Sequence, residues 1–216
     1  MKTFNTTARL LLVAFISIVL LPACKKESNN SLTADDAADA ITYATSSSTG
    51  GLADQVADAA AYTYSAGVYK TGSTASTASL SCGVPLDTTI IVAYNGVIDA
   101  NYNWTWAYLL TCNGNVPNTL SLSGTYNGDF DAPRMSSTNS GQRNWTLTGL
   151  DGLSSSPYVF NGSFTRSGTH TSKVRNHYTF TTSIQITVTN LTVSKTTDKI
   201  TGGSGTVTMT GDVSNG

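Results

Sequence analysis

The chain has 216 residues, 12 Lys and Arg against 13 Asp and Glu, and only 12% charged residues, about half the usual roughly 25%. With no basic surplus to neutralise phosphates and no acidic tail, nucleic-acid binding is excluded. A single Glu, Glu27, also excludes a long charged helix or coiled coil. The 39% hydrophobic residues are too many for a disordered linker, and 61 residues are Ser or Thr, so the composition is that of a globular, hydroxyl-rich, β-rich secreted protein.

The first segment differs from the rest. Lys2 and Arg9 form a basic start, and Leu10 to Leu21 is an almost unbroken apolar run. A run of about a dozen residues is too short to span a bilayer, which takes about twenty, and fits the hydrophobic part of an export signal. It ends in Leu21-Pro22-Ala23-Cys24, which resembles the lipobox of bacterial lipoproteins. That resemblance implies cleavage before Cys24, a diacylglyceryl group on its sulfur and an acylated amino terminus. Several acyl chains anchor durably where one is marginal, at about 0.8 kcal/mol per buried methylene.

Residues 1–23 are then the signal peptide and 24–32 a flexible tether, opening Lys25-Lys26-Glu27. The residue after Cys24 is Lys and not Asp, so the resemblance implies the outer membrane as destination. Its periplasmic and cell-surface faces stay open. Removing the lipid-bearing Cys24 leaves Cys82 and Cys112, an even pair in an oxidising compartment, and a disulfide is expected. Closing a loop of about thirty residues would stabilise the fold by roughly 3–4 kcal/mol in the chain-entropy account. A pair of buried thiols is the alternative.

Residues 33–66 are Ala-rich. Ala34, Ala37, Ala38 and Ile41 fall at helical spacing, with Thr33 and Asp36 in the arrangement of a weakened capping box. Gly50-Gly51 breaks the run, and a second helix is expected from about Leu52 to Tyr64. The apolar stripes are thin, so these helices are expected to pack on a β domain.

Residues 73–216 change to period two. Strands are expected at Ala75 to Cys82, Thr88 to Tyr94, Asn101 to Cys112, Thr119 to Tyr126, Asn144 to Leu150, Tyr158 to Arg166, Tyr178 to Val193 and Gly205 to Val213. Thr and Ser alternate with apolar residues, as in Thr206-Val207-Thr208-Met209-Thr210, the pattern of a sheet with one buried and one wet face. The fold class is mainly β, an antiparallel meander, sandwich or open barrel of about eight strands, with two short Ala-rich helices on its N-terminal side. Asn190 is expected to mark a bend in the long Tyr178–Val193 strand. Tyr126-Asn127-Gly128-Asp129-Phe130 and Phe160-Asn161-Gly162-Ser163-Phe164 read as two similar Asn-Gly hairpin corners. Ser214-Asn215-Gly216 follow a strand directly, and a C-terminal truncation that leaves Gly205 to Val213 as an unpaired edge is expected.

Tyr102, Trp104, Trp106 and Tyr108 lie on one face of one strand, with Leu110 and Cys112 beyond them. Such a stripe serves either as the main core strand or as a platform on which sugar rings stack; the core reading is favoured. Asp129 and Asp131 share a strand face but have no further acidic cluster nearby, and read as turn formers rather than calcium ligands or paired carboxylates. His170 and His177 read as exposed polar residues, not metal ligands. The motifs of nucleophile elbows, zinc proteases, phosphate loops and dinucleotide sites are missing, so no catalytic residue, metal or cofactor is expected.

The lipobox, the Ala-rich pair, Ser81-Cys82-Gly83-Val84, Trp104-Thr105-Trp106 leading to Cys112, and the Ser172-to-Asn176 loop together resemble uncharacterised lipoproteins of Bacteroidota. The resemblance implies an address and an all-β domain but no activity. The expected function is a non-enzymatic envelope structural or interaction role, with the membrane as partner through the lipid and an envelope protein or glycan as a further one. The alternative is a carbohydrate or small-ligand binding module using the aromatic face. A hydrolase is the remote third.

Overall fold

The Thr33 side chain opens the first helix, α1 (Ala34–Thr45), by accepting from the Asp36 N–H at 3.1 Å. In the computed structural model, which describes residues 32–66, 80–174 and 177–213, Asp36 does not complete the box by reaching back to the backbone. Its carboxylate is fully buried and accepts from the hydroxyls of Thr33, Ser172 and Tyr178, which ties the start of α1 to the sheet. Gly50, at φ +60°, and Gly51 then turn the chain into α2 (Leu52–Ser65). A side chain at Gly50 would strike the Tyr102 ring at 2.7 Å, so both its left-handed backbone and its closeness to the sheet require glycine.

Seven strands follow: β1 (Pro85–Tyr94), β2 (Asp99–Asn113), β3 (Val116–Asp131), β4 (Met135–Thr148), β5 (Tyr158–Ser172), β6 (Thr179–Val193) and β7 (Ile200–Val213). They form one antiparallel sheet in sequence order, an open meander whose ends are β1 and β7. At 15 residues, β2, β5 and β6 are each about 50 Å long. Both helices are where the Ala-rich pattern puts them, and their Ala40, Ala44, Val56, Ala59 and Ala60 are buried in the core they share with the sheet.

β2 to β6 alternate buried and exposed residues, because the helices cover one face only. We call the covered face inner. The expected strand from Ala75 to Cys82 is not one within the described residues. Ala75 to Ser79 lie outside them, and Cys82 makes a single bridge to Leu110. Cys82 is disulfide-bonded to Cys112, with Cα atoms 5.7 Å apart. The signal and all of the tether but Leu32 also lie outside the described residues.

The two Asn-Gly segments are not corners. Gly128 lies inside β3 and Gly162 inside β5, both at inner positions between aromatic neighbours. A Cβ on Gly128 would meet the Tyr102 ring at 2.5 Å, and one on Gly162 would meet the Asn144 carbonyl at 2.1 Å. The repeated aromatic-Asn-Gly-x-Phe pattern is therefore a strand in which glycine lets a ring or a neighbouring backbone lie close. The same residues that form turns when exposed serve packing when flanked by buried rings. Asn190 does bend β6: its φ is +50° and the register with both β5 and β7 shifts around it. Its N–H is held by the Asn161 side chain at 2.8 Å.

Candidate functional site

Tyr102, Trp104, Trp106 and Tyr108 project from β2 onto the inner face and are 1–2% exposed. Tyr62 of α2 stacks on Tyr108 at 4.5 Å, Trp106 stacks on Tyr108 at 5.8 Å, and Trp104 meets Trp106 edge-on. The core reading of this strand is the observed one, and the sugar-stacking reading is corrected: a pyranose cannot reach rings that a helix already covers. The indole N–H groups of Trp104, Trp106 and Trp145 have no acceptor among the described residues, so these rings serve for area rather than for hydrogen bonds.

Two guanidinium groups lie in the same interior. Arg143 is 2% exposed and sits 3.4 Å from the centre of the Trp106 ring, in the stacked arrangement that suits a weakly hydrated cation. It donates to Gln55 Oε1 of α2 at 2.8 Å and to the Thr105 carbonyl at 2.5 Å. Burial lowers its pKa to about 10, partly countered by Tyr108 and Asp58. Arg166, 1% exposed, donates to the Tyr43 carbonyl in the last turn of α1, to the Thr49 carbonyl and to Tyr102 Oη. It thus places a positive charge where the helix carbonyls end. Tyr102 and Asn139 hydrogen-bond each other, and Asn139 donates to Ser137. These groups fasten the helical hairpin to the sheet.

How a strand carbonyl becomes free for Arg143 is visible at Thr105. Its hydroxyl takes the place of ladder bonds, accepting from the Thr125 N–H at 3.0 Å and donating to the Thr125 carbonyl at 3.1 Å. The Thr105 carbonyl turns inward over Gly124, where a Cβ would sit 2.0 Å away. The arrangement recurs at Thr165. Its hydroxyl pairs with the Gln142 backbone, and its carbonyl passes over Gly141 to accept from Tyr126 Oη at 2.9 Å. In both places a threonine hydroxyl closes the ladder, a glycine makes room, and a donor two strands away reaches the released carbonyl.

Three further ionisable groups in or against the interior are held by groups of other elements. His170 is 2% exposed, bonded through Nε2 to Thr182 at 2.7 Å and stacked on Phe180. This corrects the exposed reading of His170; His177 is exposed. Burial lowers the His170 pKa to about 4, and nearby Arg166 adds to the shift. Asp54 of α2 accepts from Tyr94 Oη of β1 at 2.5 Å, and burial raises its pKa to about 6 against the lowering effect of that bond. Lys195 reaches the Asp151 carboxylate at 2.6 Å and two carbonyls of the same loop, clamping the β4–β5 connection. No group of three His, Cys, Asp or Glu among the described residues is placed to hold a metal.

The outer face has the opposite chemistry. Successive rows run across the strands: Asn101, Asp129, Thr138, Thr169, Thr181 and Asp212, then Asn103, Asn127, Ser140, Ser167, Ser183 and Thr210. Shallow grooves of about 370 to 430 Å³ lie between these side chains. Asp129 and Asp131 are here, near the end of β3 and not in a turn, and Asp131 pairs with Lys173. Arg143 and Arg166 are functional to the fold in a way the sequence did not single out. Their position in period two, in phase with Trp145 and Phe164, was the available signal. No protein-family model, curated protein or solved structure matches the chain.

Proposed function

We propose that this chain is a lipid-anchored outer-membrane lipoprotein with a non-enzymatic envelope role, in which a rigid β module presents its surfaces to another envelope component. The Leu21-Pro22-Ala23-Cys24 sequence at the end of an apolar run carries the anchor. The structure supports the interaction role by the way it spends its reactive groups. The rings of β2, the Arg143 and Arg166 guanidiniums, His170 and Asp36 are taken up in packing, and the outer face of the sheet consists mostly of hydroxyls and amides. A second reading, carbohydrate binding, rests on the outer grooves instead of the aromatic strand, such as the one lined by Ser123, Thr125, Gln142, Asn144 and Ser163.

Metabolic labelling with palmitate tests the anchor. Wild-type protein is expected to take up label and partition with outer membranes, and the Cys24→Ala variant to do neither. Label in the variant, or none in wild type, overturns the proposal. Protease treatment of intact cells then assigns the face of the membrane.

A further inference from the structure

The outer groove lined by Ser123, Thr125, Gln142, Asn144 and Ser163 has a volume of about 430 Å³, within the roughly 300–1,000 Å³ of small-molecule sites. It runs across β3, β4 and β5, and Ser123, Asn144 and Ser163 form one row in register across those strands. Several hydroxyls of the outer face are taken by one another, as in Thr105 with Thr125, Ser167 with Ser183 and Thr192 with Thr201. The side chains of Ser123, Gln142, Asn144 and Ser163 instead have no partner among the described residues. The grooves nearer the end of β3 include Asp129, whereas no carboxylate lines this one. A cation lies behind it. Gly124 and Arg143 both border the groove, and an inward side chain at Gly124 would come within 3.2 Å of Arg143 Nη2. That guanidinium is bonded to the Gln55 carboxamide and the Thr105 carbonyl rather than to a carboxylate, and its Nε has no acceptor among the described residues. Asp58 of α2 acts on it electrostatically.

We propose that this groove binds an uncharged polysaccharide laid across β3, β4 and β5. Hydroxyls and carboxamides both donate and accept hydrogen bonds, and a polyol is the ligand whose own groups do the same. A cationic chain is disfavoured by the Arg143 charge one backbone layer below and finds no carboxylate in the lining. A polyanion finds no surface cation, because no Lys or Arg projects from the outer face between β2 and β6. A protein finds no aromatic or large apolar anchor. The direction follows from the row. Neighbouring strands are about 4.8 Å apart, an interval close to the advance of one pyranose in an extended chain, so successive sugars meet Ser123, Asn144 and Ser163 in turn. The proposal rests on the carbohydrate reading above and is independent of the anchor at Cys24.

Affinity electrophoresis tests it with the full lipidated chain in detergent, run through native gels that contain dextran, xylan or glycol chitin as neutral polysaccharides, or polygalacturonate as an acidic one. The wild type is expected to be retarded by at least one neutral polysaccharide and not by polygalacturonate. Gln142→Ala with Asn144→Ala removes two hydrogen-bonding side chains and is expected to weaken that retardation about tenfold. Thr171→Ala, at the far end of β5, is expected to leave it unchanged. Formation of the Cys82–Cys112 bond and an unchanged circular dichroism spectrum verify folding in each variant. No retardation by any of these polysaccharides overturns the proposal and the carbohydrate reading together. Retardation that the double variant keeps, or that Thr171→Ala loses equally, overturns the placement in this groove alone. Retardation by polygalacturonate only overturns the class of ligand.

Discussion

Ile186 and Val207 are neighbours in one row of the sheet, both β-branched, both on the inner face, and separated by a single strand spacing. Ile186 is 2% exposed and Val207 is 38% exposed. What differs is the layer above them. Between β2 and β6 the inner face meets α1, α2 and the two guanidiniums that bind those helices; among the described residues that cover thins over Val207, although Met209 and Val213 further along β7 still pack against the core. Strand pattern thus specifies which way a side chain points, while coverage by another element decides whether pointing inward removes it from water.

The strongest break in this contrast is to detach the layer. Arg166→Ala leaves the Tyr43 and Thr49 carbonyls without their donor and a void beside Tyr102, and is expected to cost roughly 3–5 kcal/mol, measured by denaturant unfolding. A loss under about 1 kcal/mol would mean that the helices are held by apolar contact alone. Replacing both Cys82 and Cys112 by Ser is expected to cost about 3–4 kcal/mol, since the bond spans 30 residues. Comparing reduced and oxidised wild type gives the same quantity without substitution.

The row itself supplies a finer test. Ile186→Val removes one methylene and is expected to cost about 0.5–1.5 kcal/mol. Val207→Ala removes more and is expected to cost under about 0.5 kcal/mol. Equal effects would show that Val207 is covered after all.

The smallest effect expected is a pH dependence. Asp54 has a folded pKa of about 6, above its ordinary 3.8, so the folded state takes up the proton first. Its contribution favours folding below about pH 4 and is lost as the pH rises through 6. His170 acts in the opposite sense, because its lowered pKa makes protonation favour the unfolded chain as the pH falls from 6.5 towards 4. Removing Asp54 by Asn is therefore expected to steepen the loss of stability between pH 6 and pH 4. An unchanged slope in thermal melts across that window would refute the opposition of the two groups.

Particular residues show where sequence reasoning reached and where it stopped. The helix boundaries at Thr33 and Gly50-Gly51 are local signals, set by capping and backbone freedom, and they match the structure. The period of Tyr102, Trp104, Trp106 and Tyr108 assigns them to one face, but exposure is not a property of a strand, and only α2 laid over that face excludes them from ligand binding. His170 fails for the same reason: flanked by Thr and Gly it looks polar, yet Phe180 and Thr182 from the next strand enclose it. Asn-Gly at 127–128 and 161–162 has turn chemistry, and the rings packed around those glycines override it.

Alternation of hydroxyl and apolar residues, by itself, determined an antiparallel sheet with one wet face, and two cysteines of even count determined a cross-link, because both depend on short-range geometry or on simple pairing. The scarcity of charge was equally plain in the composition. Where the few charges go was decided only by the tertiary structure. Arg143, Arg166 and Lys195 are buried, which is tolerable because each is paired with carbonyls, a ring or a carboxylate that other elements bring to it. The hydroxyls that replace charge outside are also what let Thr105 and Thr165 release a carbonyl to the interior, a use that depends on partners two strands away and so has no trace in the local sequence.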